Sequence, residues 1–152
     1  MKYQADSIWF TPPSKERFER DMKNTAIEHS GVEYVESGAD YLKVRMPVDK
    51  RTKQPAGILH GGVSVMLAET VASMAAAACV DLRKFSVVGQ EINANHLRSA
   101  NTGWVYATAK PFHLGRSSQV WEIRIENEAG KIVCISRMTA AVLQQPAPEH
   151  MW

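Results

Sequence analysis

The chain has 152 residues, 45% of them hydrophobic, with 18 Lys plus Arg against 16 Asp plus Glu and a formal net charge of +2. That length suits one domain with a real core, and dispersed, nearly balanced charge without a basic run argues against a partner bound along its phosphate backbone, so no nucleic acid is expected. Cys79 and Cys134 stand outside any C-x-x-C or Cys/His spacing; neither a disulfide framework nor a metal site is expected, and both read as small buried apolar residues.

The first residues carry no apolar stretch ahead of a small-residue cleavage site, which points to the cytoplasm. Ser14 is placed to cap a helix with Glu16 and Glu19 near its positive end and Phe18 and Met22 four apart, a helix expected on the outside of the molecule. Residues 32–35, a turn over 36–40 and residues 41–48 read as a hairpin. The polar loop 49–55 leads into a Pro-x-Gly, so its backbone must be solvated or tied to another group. Residues 60–78 then form a small, aliphatic run whose one charged side chain is Glu69. Ser64, Glu69, Thr70 and Ser73, and Ala in place of Leu or Ile, make it a helix buried on most faces and not a membrane span. Strands follow at 86–97, 104–112, 119–126 and 132–143, the third with Trp121, Ile123 and Ile125 alternating against Glu122 and Arg124. One long helix between two early and four late strands predicts an α+β domain, an antiparallel sheet curled around a central helix.

Chemistry concentrates on that helix. Gly61 and Gly62 follow His60 where the first amides lack intrahelical partners and the macrodipole is positive. Two readings stand: an oxyanion cradle open to close approach, or a tight entry into the helix. Glu69, if buried among Val65, Met66, Leu67, Ala68, Val71 and Ala72, needs a partner or a function, and desolvation would raise its pKa toward that of a base or nucleophile; otherwise it emerges at a sheet edge and pairs with a cation. Ser73, four residues on, shares its face and either positions a water or bonds back to its own helix.

The run M-P-V-D-K-R-T-K-Q-P-A-G-I-L-H-G-G-V-S-V-M-L-A-E-T-V-A-S over 46–73 resembles the PaaI-like hotdog-fold thioesterases, the more specific signal being H-G-G followed by L-x-E-x-x-x-S. V-V-G-Q-E-I-N-A-N-H-L-R-S-A at 87–100 and H-L-G-R-S-S-Q-V-W-E at 113–122 extend the resemblance over about residues 24–143 of a single domain spanning 1–152. Within that family the chain looks most like the aryl-CoA thioesterases, the group of 1,4-dihydroxy-2-naphthoyl-CoA and enterobactin-proofreading enzymes.

The resemblance implies a hotdog fold and hydrolysis of acyl-CoA thioesters, aromatic ones above all, without metal or cofactor, CoA being part of the substrate. It implies Glu69 as nucleophile or general base, the Gly61 amide as oxyanion donor, Gln54 and His60 orienting substrate and site, and Ser73 assisting the water. It places Arg98, Arg116, Ser117, Ser118 and Arg137 toward the CoA phosphates, which hydroxyls and guanidinium groups suit, though each also reads as a solvated strand end. His96 either lines the acyl pocket or makes a structural hydrogen bond; with Val65 and Met66 it is a candidate to face an aromatic ring. A homodimer or homotetramer with active sites at the subunit interface is implied, and no membrane. A non-catalytic acyl-CoA-binding module on the same fold is the alternative, and an enoyl-CoA hydratase is disfavoured because the helix offers Glu69 and Ser73 instead of an Asp/His pair. Trp9, Phe10, Pro12, Pro13 and the tail 144–152 fall outside the resemblance.

Overall fold

The structure, a computed structural model, describes residues 6–145; the His-Met-Trp end of the tail, to which the sequence assigns no role, lies outside the described residues. Ser14 Oγ accepts from the Arg17 N–H at 3.2 Å, giving one of the orphan donors of a helix start its partner, and α1 runs from Lys15 to Asp21. The helix lies on the outside but is not merely peripheral: Phe18 is buried and packs against Tyr34. A single turn, α2 (Ala26–His29), capped by Thr25, is too short for any apolar period to announce it.

Strands β1 (Glu33–Ser37) and β2 (Leu42–Pro47) form the expected hairpin. A bulge between Tyr34 and Glu36 carries β1 on to Ser37, so the turn starts later than the sequence suggests. Helix α3 (Gly61–Ala78) is followed by β3 (Phe85–His96), β4 (Trp104–Leu114), β5 (Ser118–Asn127) and β6 (Ile132–Gln144). All six strands join one antiparallel sheet in the order β1-β2-β4-β5-β6-β3. β3, first after the helix, crosses to the far edge and pairs with the last strand.

Helix α3 is apolar and long enough to cross a membrane by length and composition, yet it packs against β2 through β6. Ala68, Ala72, Ala75 and Ala76 are fully buried on it, and such small side chains let the helix backbone approach the sheet closely. The sheet supplies the bulk: Leu42, Met46, Trp121, Ile123, Ile125 and Met138 are all inaccessible. One expectation needs correcting. Eight of the eighteen α3 residues are buried, not most of its surface, because the sheet covers one side of the helix and leaves the stripe holding Met66, Glu69, Thr70, Ser73 and Ala77 half-open.

Residues outside the family resemblance turn out to complete the core. Trp9 is 3% exposed and stacks on Trp121 with centroids 6.5 Å apart and planes 9° from parallel. Its Nε1 donates to the Gly38 carbonyl at 2.7 Å, while the Phe10 and Thr11 amides donate to the Ala78 carbonyl at 2.9 and 3.0 Å, satisfying the C-terminal end of α3. Trp121 Nε1 donates to Gln119 Oε1 at 3.0 Å, so a fully enclosed indole keeps its hydrogen bond. We expect Trp121→Ala to cost about 3–5 kcal/mol, read as a lower urea midpoint at unchanged m-value. A loss below about 1 kcal/mol would show that Trp9 collapses into the space and that the stack is not structural.

Candidate active site

The loop before α3 is held by its own polar groups. Thr52 is fully buried; its Oγ1 donates to the Pro47 carbonyl at 2.7 Å and accepts from the Asp49 amide at 3.0 Å. Arg51 grips Asp49 through its side chain and backbone amide, holding that carboxyl well below the usual range, at about 2. The Arg51 guanidinium also lies over Gly31, where an added Cβ would meet its Nη1 at 2.7 Å. Beyond this frame the Gln54 and His60 amides bond to the carbonyls of Ile58 and Thr52, both at 2.9 Å, and Gly57 turns at φ +80°. Gln54 Oε1 accepts from the Ala56 amide at 2.5 Å, which fixes its side chain at the loop rim. The loop backbone is therefore tied, as its polarity required.

His60 is the N-cap of α3. Its Nδ1 accepts from the Gly62 amide at 2.9 Å, and its carbonyl accepts from Val63 and Ser64 at 3.0 Å each. Acceptance at Nδ1 puts the proton of the neutral ring on Nε2. Of the first four amides of α3, Gly61 N–H alone has no acceptor among the described residues. That free donor sits at the positive end of an 18-residue helix. The His96 ring packs against the Cα side of the same glycine: a Cβ at Gly61 would lie 3.0 Å from His96 Nε2. Gln54, Gly61, Ser64, His96 and Arg98 line one open cleft of about 370 Å³. Sequence reasoning missed Ser64, a buried serine; its position on the Gly61 turn was the available signal.

Glu69 is elsewhere. It lies eight residues along the helix from Gly61, about 12 Å of axial rise, farther than a Glu side chain spans. It lines a second open cleft with Met66, Thr70 and Ser73. Of the two readings left open for Glu69, neither holds in full: within one chain it is half-buried, on the stripe that the sheet leaves uncovered, and it pairs with no cation among the described residues. Its Oε1 occupies the space over Gly89 on β3, where an added Cβ would come within 2.5 Å. Gly89 is a residue the sequence could have given, since a lone glycine in a strand marks a bulge or a close approach, and the β3–β6 register does shift between Gly89 and Glu91. Ser73 Oγ points to Met138 Sδ at 3.6 Å.

The phosphate candidates divide between the two ends. Arg98 is exposed beside His96, with Nη1 donating to the Ile132 carbonyl at 2.6 Å. Arg116 and Ser117 are exposed in the β4–β5 turn, with Ser118 half-buried beside them. Ser118 pairs with Ala141, and Ala141 with Val88, so this turn lies two strands, about 10 Å, from the neighbour of Gly89. Arg137 is exposed between Asn93 and Glu122, on the sheet face opposite Met138 and α3. Met66 accompanies Glu69, whereas His96 stays at the Gly61 end and Val65 lines neither cleft. Among the described residues no three His, Cys, Asp or Glu side chains cluster to hold a metal. The two cysteines are buried and free, and burial pushes the Cys79 thiol up to about 12.

The chain is similar to known thioesterases. Residues 56–134 match the family model described as Thioesterase superfamily. The 1,4-dihydroxy-2-naphthoyl-CoA hydrolase of Escherichia coli is 51% identical over 136 residues, covering 90% of this chain and 99% of that protein. The proofreading thioesterase EntH of Cronobacter turicensis is 45% identical, with 90% and 98% covered. A crystallised thioesterase of Haemophilus influenzae superposes with a TM-score of 0.89 at 44% identity, covering 94% of this chain and 99% of that one.

Proposed function

This chain belongs to the Thioesterase superfamily and is a thioester hydrolase with the hotdog fold, and from that premise we propose that it cleaves acyl-CoA esters, aromatic ones preferentially, as a cytoplasmic homo-oligomer. The observation that carries the reading is the unpartnered Gly61 amide at the start of α3, flanked by Gln54 and His96. A thioester carbonyl docked on that amide develops negative charge as it is attacked, and a preorganised donor of this kind is worth about 3 kcal/mol. Glu69 either attacks the carbonyl itself, expelling CoA thiolate and leaving an anhydride that water cleaves, or takes a proton from the attacking water. Both routes end in free acid and CoA. The thiolate leaves readily, so a carboxylate and a donor suffice.

Gly61 and Glu69 of one helix are too far apart to serve one carbonyl, which supports pairing the Gly61 end of one copy with Glu69 of another. The twelve-residue edge strand β3, a row of unpaired backbone groups beside Gly89, supports the same reading, since long edges are normally covered. Mixing inactive Glu69→Ala and His60→Ala subunits that exchange should then restore part of the activity. Full activity in a protein that is monomeric at micromolar concentration would overturn the shared site.

The aromatic preference is supported by the names of the relatives from Escherichia coli and Cronobacter turicensis. It predicts that kcat/KM for benzoyl-CoA exceeds that for palmitoyl-CoA by about tenfold or more, within what a few apolar contacts supply. Equal efficiency on both would remove the aromatic assignment and leave thioester hydrolysis standing.

A further inference from the structure

The loop that leads into α3 reaches the candidate site as a short ladder. The His60 backbone amide donates to the Thr52 carbonyl at 2.9 Å, Lys53 bridges to Leu59, and the Gln54 backbone amide donates to the Ile58 carbonyl at 2.9 Å. Residues 52–54 and 58–60 therefore run antiparallel, closed by the turn at Gly57. Gln54 stands at the tip, two residues or about 7 Å from Thr52. At the base the chain passes from His60 straight into Gly61. Both Gln54 and Gly61 line the same cleft, and each brings a free donor to it. The Gly61 N–H has no acceptor, and the Gln54 side chain has its Oε1 taken by the Ala56 amide while its Nε2 donates to nothing among the described residues. A substrate held by both donors must find them at one separation.

Resting on the acyl-CoA reading above, we infer that Thr52 is a positioning residue, the joint that sets where Gln54 stands relative to the free Gly61 amide. Thr52 is fully buried and tied on three sides. Its Oγ1 donates to the carbonyl of Pro47, the last residue of β2, which pairs with Trp104 in the sheet. The same oxygen accepts the Asp49 amide, and the Asp49 carbonyl accepts the Thr52 and Lys53 amides at 3.0 Å each. Its own carbonyl holds His60, the N-cap of α3. One residue thus joins the sheet, the loop and the start of the helix. Without the hydroxyl the base of the ladder keeps its bond to His60 but loses its tie to β2, so Gln54 shifts against an amide that the helix holds still. Thr52 does not line the cleft; it acts through Gln54 and not on the substrate. Displacement at a reacting centre by about 1 Å can cost on the order of a hundredfold in rate. A Thr52 that only satisfied the loop backbone would alter the melting temperature and leave the turnover of folded molecules as it was.

The test measures kcat, KM and melting temperature for variants of the full chain, on whichever of acetyl-, benzoyl- and palmitoyl-CoA the wild type cleaves best. Thr52→Val keeps the shape of the side chain and loses both hydroxyl bonds; its kcat should fall at least about tenfold, with KM changed less. Thr52→Ser keeps the hydroxyl and should stay near the wild type. In a Gln54→Ala background the Thr52→Val loss should largely disappear, because a residue that acts through another couples to it. Should Thr52→Val fail to fold, Asp49→Ala decides alone. The Asp49 side chain is 38% exposed, and its removal frees the turn to which Thr52 is bonded; kcat should fall severalfold, again only when Gln54 is present. Unchanged kcat in the folded variants, or a loss that persists undiminished in Gln54→Ala, overturns the positioning role while wild-type turnover keeps the acyl-CoA reading. Wild-type protein that cleaves none of the three esters overturns that reading, and the positioning role with it.

Discussion

Replacing Glu69 by Gln is expected to lower kcat at least about a hundredfold while leaving acyl-CoA binding in place, because the amide keeps the size of the carboxylate and loses its charge and basicity. The fold should be unaffected: Glu69 is half-buried on the open stripe of α3 and makes no ion pair among the described residues. The comparison is of single-turnover hydrolysis with the melting temperature of each protein. A folded Glu69→Gln protein that keeps more than a tenth of wild-type turnover would take Glu69 out of the mechanism.

Gly89→Ala should be nearly as damaging from a residue with no chemistry of its own. The added Cβ falls 2.5 Å from Glu69 Oε1, inside contact distance, and what gives way is the end of a flexible side chain, not the backbone. Stability therefore changes little while the carboxylate moves, and displacement of a reacting group by about 1 Å can cost on the order of a hundredfold. Loss of kcat with unchanged Tm is the expected signature. Wild-type kcat in this variant would show that the Glu69 position over Gly89 is not the one used in the reaction.

Much of this molecule is legible in the chain because its signals are local. Trp121, Ile123 and Ile125 alternate with Glu122 and Arg124 in the sequence and alternate between core and surface in β5, so the strand and its buried face are both readable. Ser14 announces α1 and His60-Gly61-Gly62 announces the start of α3, since caps are set by the few residues that must satisfy the first amides. The L-x-E-x-x-x-S spacing put Glu69 and Ser73 on one stripe of that helix, and the structure keeps them there.

Partners across space were not legible. Nothing in the period of β3 says that it pairs with β6 at the sheet edge, because alternation records which side is buried and not which strand lies beside it. The same limit hid the stacking of Trp9 on Trp121, which brings residues outside the family resemblance into the core. The burial of α3 on most faces was misjudged, and that of Glu69 left open, because apolar neighbours along a helix do not reveal how far around it the sheet wraps. By itself, then, the sequence determined the elements other than α2, the cap of α1 and the glycine-marked start of α3, since each follows from spacing within a few turns or one strand, while its resemblance to a family supplied the residues able to attack a thioester. Only the tertiary structure decided that Gly61 and Glu69 stand in separate clefts and that Gly89 makes room for the carboxylate, because distances between segments far apart in the chain are set by how the helix lies across the sheet.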